Sequence, residues 1–449
     1  MQKIMKQNMR IILLTVMFLL VANLSMGQSG SWQAIHEVKK KETVFGIAQA
    51  YGITMEALRV ANPRLLQEGY QLKKGETLFI PFPAKSAFSG QQETLGVASR
   101  PIRLGVMLPL HDKNGDGRRM VEYYRGVLMA CDSLRRKGLS VDVRAWNVPE
   151  EADIAQTLAD PEAARLDVII GPLYSKQMQK LSDFVARHGI LLVIPFSINA
   201  PQLVANPNIF QVYQTVTDLD DATAKRACSW FKDYHPVIVD CGDPESSKGT
   251  LTAALRKGFE QRGVQYSLTS LSSPSASFAA AFDASKRNVV ILNSARAASL
   301  ETALGKLGVV SSTHRGVQIS MLGYAEWLLQ APEHADYFHT YDVYIPTYYY
   351  TNMQSTAALR LKQKFRWNFH QDMLPVQPNF ALTGFDHAYF FLRGLNKYGK
   401  AFDGAEGRFD YDPVQTPLKF VRLGNGGRQN KAYMFVHYKN DRKVEKITY

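Results

Sequence analysis

The sequence predicts an α/β protein, a small βααβ module followed by a two-lobed domain built on parallel sheets. Three observations carry this. The chain has 449 residues, too many for one ordinary domain. Between residues 32 and 82 two short apolar runs bracket two helical patterns. From residue 101 onward, apolar runs alternate with helical patterns in two successive series, as βαβ units require. A hydrophobic fraction of 46% suffices to bury cores for both parts.

The N-terminus bears on compartment. Lys3, Lys6 and Arg10 precede an apolar run over 11–24, followed by Ser25-Met26-Gly27. Charged region, apolar core and small-residue site read as a secretory signal peptide over 1–27, with cleavage before Gln28. The run is shorter than the ~20 residues that span a bilayer. No cysteine lies nearby for acylation, and no other segment is apolar enough to span. The expected product is periplasmic, associated with the cell wall, with no membrane span after signal removal.

In the first module, Ile35 to Val38 read as a strand. Val44, Ile47, Ala48 and Tyr51 then recur at helical spacing. Gly52 ends that helix, Thr54 caps a second with Leu58 inward, and Leu78 to Ile80 close the unit. Val38, Glu42-Thr43, Ile47-Ala48, Tyr51-Gly52-Ile53, Leu58, Asn62-Pro63 and the stretch 72–81 carry a resemblance to the LysM family across the module. The resemblance implies binding of N-acetylglucosamine units of peptidoglycan or chitin in a shallow groove. Glu42, Thr43, Val44 and Phe45 would line one side, facing Asn62, Pro63, Arg64 and Leu65. Val44 is read as core. Lys41 stands where the family usually has Gly.

Residues 83–100 are small and polar without periodicity and read as a tether. The large domain occupies 101–449. Strands are expected at 102–108, 141–146, 167–170, 190–194, 237–240, 288–292 and 317–321. Helices are expected at 120–137, from 173 to about 188, and at 217–232, 246–262 and 296–307. The stretch 166–197 (LDVIIGPLYSKQMQKLSDFVARHGILLVIPFS) resembles type I periplasmic binding proteins, the group that includes branched-chain amino acid receptors. Supporting matches are IRLGVMLPL from Ile102, Tyr124-Arg125-Gly126 opening a helix, 210–213, LTGFDHAYFFLRGL from Leu382, and 407–410 with the strands after it. The resemblance implies two lobes, about 101–213 with 341–405, and about 214–340 with 406–449.

Ligands of open α/β sheets sit beyond strand C-termini. By position, the cleft candidates are Leu110, His111, Tyr174, Ser175, Ser197, Tyr213, Asp240, Ser294 and Tyr324. Ser175 either holds a carboxylate at a helix start or only caps that helix. Asp240 or Asp386 can take an ammonium group, but Asp386 reads better as structural. The tyrosines of 337–350 read as a strand with its packed flank rather than a stacking surface.

Asp112, Asn114 and Asp116 imitate half a calcium loop, but position twelve is Tyr123 and two arginines intervene, so no metal is expected. Cys131, Cys228 and Cys241 show no CxxC spacing; buried thiols or a single disulfide both fit. No catalytic motif appears, so no enzyme activity and no cofactor are expected. The formal charge of +13 is dispersed, reads as a solvated basic surface, and lacks the interleaved aromatics of a nucleic-acid face.

The function expected is a non-enzymatic peptidoglycan-binding envelope protein, its LysM module anchoring a domain that binds a ligand or a protein partner. Two versions stay open, a receptor for amino acids, peptides or muropeptides feeding a transporter, and a regulator of peptidoglycan synthesis with an empty cleft.

Overall fold

The computed structural model describes residues 32–40, 42–51, 53, 55–67, 70, 72–81, 100–197, 199–405 and 411–449. The signal peptide, nearly all of the tether, Lys41, Gly52, Thr54 and 407–410 lie outside the described residues. The chain forms two compact units, 1–92 with 353–367 and 93–352 with 368–449.

In the first unit, β1 (Trp32–Glu37) pairs antiparallel with β2 (Thr77–Pro81). Between them lie α1 (Val44–Ala50), α2 (Met55–Ala61) and a 3-10 turn (Pro63–Leu66). Thr43 caps α1, its Oγ1 accepting the Gly46 N–H at 3.0 Å. Val38, Ile47, Ala48, Ile53, Leu58, Leu65, Leu78 and Ile80 form its core, with Val44 and Tyr51 packed alongside. Residues 353–367, expected within the large domain, group with this unit, and Gln363 Nε2 donates to Ala50 O at 3.3 Å.

The second unit holds two seven-stranded sheets. The first contains β3 (Ile102–Leu108), β4 (Val141–Asn147), β5 (Val168–Ile170), β6 (Leu191–Ile194) and β7 (Ile209–Gln211), all parallel. The helices connecting them are α3 (Gly115–Arg135), the short α4 (Ile154–Leu158) and α5 (Met178–His188). The second sheet contains β8 (His235–Asp240), β9 (Ser267–Ser270), β10 (Arg287–Leu292), β11 (Gln318–Leu322) and β12 (Val343–Thr347), also parallel. Its helices are α6 (Val216–Trp230), α7 (Gly249–Glu260), α8 (Ser275–Ala279), α9 (Ala297–Thr313) and α10 (Ala331–Thr340). Along the chain come α11 (Thr356–Phe369), which falls mostly in the first unit, and α12 (Phe380–Tyr398). The chain then adds β13 (Phe420–Arg422) and β14 (Arg428–Asn430) to the first sheet, and β15 (Met434–Tyr438) and β16 (Val444–Thr448) to the second.

Both faces of the first sheet are covered, which is why its strands read as continuous apolar runs. Val168, Ile170 and Val193 turn to one face, against Tyr123 and Val127 of α3 and Phe391 of α12. Ile169, Leu192 and Ile194 turn to the other, against Leu181 and Val185 of α5.

Four expectations need correction. Strand β12 was expected in the first lobe but pairs with β11 and β15 in the second sheet. Strands β13 and β14 were expected in the second lobe but pair with each other and with β7 in the first sheet. Hydrogen-bond partners decide membership, and apolar runs such as Val343 and Ile345 suit either sheet. Residues 115–117, which precede the helix expected at 120–137, open α3, because the Asn114 Oδ1 accepts the Gly117 N–H at 2.8 Å and caps the helix. Tyr124-Arg125-Gly126 consequently lie inside α3 rather than at its start.

Candidate functional site

In the small module the groove residues divide into exposed and structural sets. Phe45 is 46% exposed, and Pro63 and Arg64 are exposed beyond α2. The Glu42 Oε2 accepts the Lys39 N–H at 2.7 Å and faces His36 Nε2 at 2.8 Å. These contacts, the backbone one first, hold the Glu42 carboxyl below the usual carboxylate range. Glu42 and Thr43 therefore shape the turn that leads into α1, whose first turn carries Phe45.

Asn62 and Leu65, placed on the groove by sequence, face inward instead. Leu65 joins the core because the 3-10 turn rotates it under the module. The Asn62 Oδ1 accepts the Phe79 N–H, and its Nδ2 donates to Phe79 O and Leu58 O, each at 2.8 Å. That amide has one acceptor lone pair left and no N–H left for a sugar.

In the large domain the chain passes between sheets after β7, after β12 and after β14. Side chains pin these crossings. The Tyr348 hydroxyl donates to Thr215 O, Gln214 Nε2 donates to Ala432 O at 2.5 Å, and Lys431 Nζ meets Asp218 Oδ1 at 2.6 Å.

At the C-terminal ends of the first sheet, Ser175 and Ser197 come together with their hydroxyls 3.3 Å apart. Ser175 opens the 3-10 turn that runs into α5, and neither helix start has a side-chain cap. Its hydroxyl is therefore not spent on capping, and both serines stand beside backbone N–H groups at a positive helix end. Gln211 Nε2 donates to Ser197 O at 3.1 Å and ties this corner to β7. The Tyr174 hydroxyl lies 3.4 Å from Asp116, and burial first, then Asp116, pushes its pKa up to about 12. Leu110 N donates to Asn147 Oδ1 at 2.8 Å, and His111 Nδ1 accepts from Lys113 N at 3.3 Å. Tyr213, 41% exposed, lies at the first crossing with its ring 6.4 Å from that of Tyr348.

The second-lobe candidates divide differently. The Asp240 carboxylate accepts from Gly242 N at 3.0 Å and Asn293 Nδ2 at 2.9 Å, which lowers its pKa. Ser294 is fully buried and donates to Asp243 Oδ2 at 2.7 Å. Tyr324 is 3% exposed, and its hydroxyl donates to Leu292 O. Ser294 and Tyr324 are thus framework, because the loops after β10 and β11 turn them under the sheet ends.

Sequence reasoning missed Asp220, Lys248 and Glu326. Lys248 Nζ meets Glu326 Oε1 at 2.7 Å and lies 5.0 Å from the centre of the Tyr324 ring. Among the described residues the Asp220 Oδ2 has one hydrogen-bond partner, the Thr250 hydroxyl at 3.5 Å, and burial raises its carboxyl above the usual range. Nothing in their spacing marks these residues, since three separate loops and helices supply them. Asp386 is structural, as its sequence context suggested. Its buried carboxylate accepts the N–H groups of Val414, Gln415 and Thr416 at 3.0, 2.7 and 2.8 Å.

The tyrosine-rich stretch is likewise a strand and its flank, Tyr344 stacking on His437 with ring centres 3.8 Å apart. No disulfide links the three cysteines. Among the described residues, no group of three His, Cys, Asp or Glu side chains is placed to hold a metal ion, and no helix is long and apolar enough to cross a membrane.

Solved structures share this fold. A putative branched-chain amino acid ABC transporter protein from Rhodospirillum rubrum matches 78% of this chain and 100% of its own, with a TM-score of 0.53 at 16% identity. LpoA from Haemophilus influenzae matches 78% of this chain and 59% of its own, with a TM-score of 0.50 at 13% identity. At these identities the likeness is one of fold. No curated protein matches the sequence. Residues 36–81 match the LysM domain. Residues 144–441, more than half of the sequence, match the periplasmic binding protein family, and the chain belongs to that family, with a LysM domain ahead of it.

Proposed function

We propose that this chain is a non-enzymatic, peptidoglycan-binding protein of the periplasm. Its LysM domain holds it at the wall, and its two-lobed domain takes a small carboxylate-bearing ligand such as an amino acid, peptide or muropeptide. The Ser175–Ser197 pair carries the reading. The Ser175 hydroxyl, with no capping duty beside a helix start, and the Ser197 hydroxyl, which also accepts the Asn199 N–H at 3.2 Å, suit a carboxylate, which gains charge-assisted hydrogen bonds there. In the second lobe, Asp220 has one hydrogen-bond partner among the described residues, the Thr250 hydroxyl, and suits an ammonium group.

A thermal-shift screen of the full chain with amino acids and muropeptides tests this. A ligand at 100 times its Kd stabilises by about 2.7 kcal/mol. Flat responses across the panel sink the ligand reading.

A second reading, an adaptor that recruits an envelope protein through an empty cleft, draws on Ser294 and Tyr324, whose polar groups are spent inside the second lobe. A tether also serves an adaptor better than a receptor that must diffuse to a transporter. LpoA, described as a regulator of PBP1A, shares the fold alone. Co-purification of a peptidoglycan synthase together with a flat ligand screen favours this reading.

A further inference from the structure

The LysM domain contains the same turn twice. Lys39-Lys40 precede Glu42, and Lys73-Lys74-Gly75 precede Glu76. In each turn the glutamate N–H donates to the first lysine's carbonyl, at 3.3 and 3.2 Å. In each, the glutamate Oε2 accepts that lysine's N–H, at 2.7 and 3.3 Å. The remaining contacts of the two acids are also internal, Glu42 with His36 and Glu76 with the Tyr70 hydroxyl.

The turns lie 34 residues apart in sequence but share one end of the β1–β2 ladder. Val38 N donates to Glu76 O at 2.9 Å, and Gly75 N donates to Val38 O at 2.8 Å. Gly75 has φ of 82°, a backbone that favours glycine, and this lets the second turn close against the first. Lys39, Lys40, Lys73 and Lys74 are all exposed, and none forms an ion pair among the described residues. Glu42 and Glu76 are half-buried and hydrogen-bonded to the turn backbones, so among the described residues the fully exposed acid at this end is Glu37. The result is four exposed ammonium groups against three carboxylates, two of which are held to the turn backbones, at the end of the module where α1 begins and carries Phe45.

We propose that these paired turns form a cationic rim that reads the carboxylates of peptidoglycan peptide stems. The LysM domain then prefers stem-bearing wall glycan to a neutral N-acetylglucosamine polymer. This rests on the glycan-binding reading of the domain and adds its selectivity. Neutral sugar faces give a lysine nothing that water does not, whereas a stem carboxylate gives a charge partner that salt screens.

The test measures binding of the full chain to two probes, a neutral N-acetylglucosamine oligomer and a disaccharide-peptide fragment of peptidoglycan. Each is measured at about 0.01 M and about 1 M salt, where the Debye length falls from roughly 30 to 3 Å. The expected result is a preference for the anionic fragment of roughly tenfold at low salt, consistent with a few exposed ion pairs. That preference disappears at high salt and in K39Q/K40Q/K73Q/K74Q, and persists when the same lysines become arginine. Unchanged melting of the Gln variant separates lost charge from lost fold. Equal binding of both probes by the unaltered chain, or equal loss on both in the Gln variant, overturns the rim while leaving glycan binding standing. Binding of neither probe overturns both.

Discussion

Asn62 grips Phe79 by both of its backbone groups, receiving the N–H on Oδ1 and giving Nδ2–H to the carbonyl, each at 2.8 Å. The side chain thus acts as a one-residue strand partner for β2, and it ties the end of α2 to the sheet through Leu58 O. Asn62→Ala leaves the Phe79 N–H and carbonyl without this partner, while Leu58 O keeps the Asn62 backbone N–H at 3.1 Å. The expected cost is about 2 kcal/mol to the LysM domain. Hydrogen exchange at the Phe79 amide checks it, and unchanged protection there contradicts the role. Asn62→Asp is expected to be worse, since one carboxylate oxygen then faces the Phe79 carbonyl.

Helices α3 and α12 approach so closely that two glycines interlock. A Cβ on Gly126 would overlap the Ala381 carbonyl, and a Cβ on Gly384 would overlap the Tyr123 carbonyl. Backbone cannot yield as a flexible side chain does, so Gly126→Ala and Gly384→Ala should each cost about 3 kcal/mol or more. Urea unfolding of the full chain measures this. The double variant should cost less than the sum, because the first substitution already separates the helices.

Burial pushes the Asp386 carboxyl up to about 6, against three N–H groups that favour its charge. The folded value lies above the unfolded 3.8, so the folded state holds the proton more tightly. The stability this group contributes is full below about pH 4 and lost as pH rises through 6, on the order of 3 kcal/mol. The Tm difference between the unaltered chain and Asp386→Asn should therefore shift between pH 4 and 6. A difference constant across that range contradicts the assignment.

Removing one hydroxyl of the Ser175–Ser197 pair should weaken a carboxylate ligand without weakening the fold, because neither side chain is buried. Ser175→Ala is expected to lower affinity for the best ligand of the screen by roughly tenfold or more, the worth of one hydrogen bond to a charged group. Calorimetric titration reads the effect, and an equal melting temperature shows that it is local. Ser294→Ala is the contrast, expected to destabilise the second lobe by orphaning Asp243 Oδ2.

Much of the fold is legible from the chain alone because buried parallel strands leave a one-dimensional mark. Val168 to Ile170 and Leu191 to Ile194 are apolar on both faces, and the helices between them repeat at their own period. Strand β9, with sequence Ser-Leu-Thr-Ser, lacks that mark and was not anticipated, since its strand state rests on pairing with β8. The start of α3 was hidden because Asn114-Gly-Asp-Gly has the composition of a loop, and only the cap bond makes it helical.

The site was legible in part for the same reason. Ser175 and Ser197 follow strands that the sequence shows, and position after a strand indicates a cleft. Ser294 and Tyr324 follow strands equally clearly, yet their loops fold back, and no local pattern records the direction of a loop.

Sequence by itself determined the class of the protein, the succession of its units and the strand ends where a ligand belongs, because periodicity and turn residues are local properties. Tertiary structure alone decided which sheet β12, β13 and β14 join, that Asn62 and Leu65 turn inward, and that two lysine turns 34 residues apart meet at one end of a ladder. Those outcomes depend on which hydrogen-bonding partners arrive from distant segments, and no window of sequence contains both.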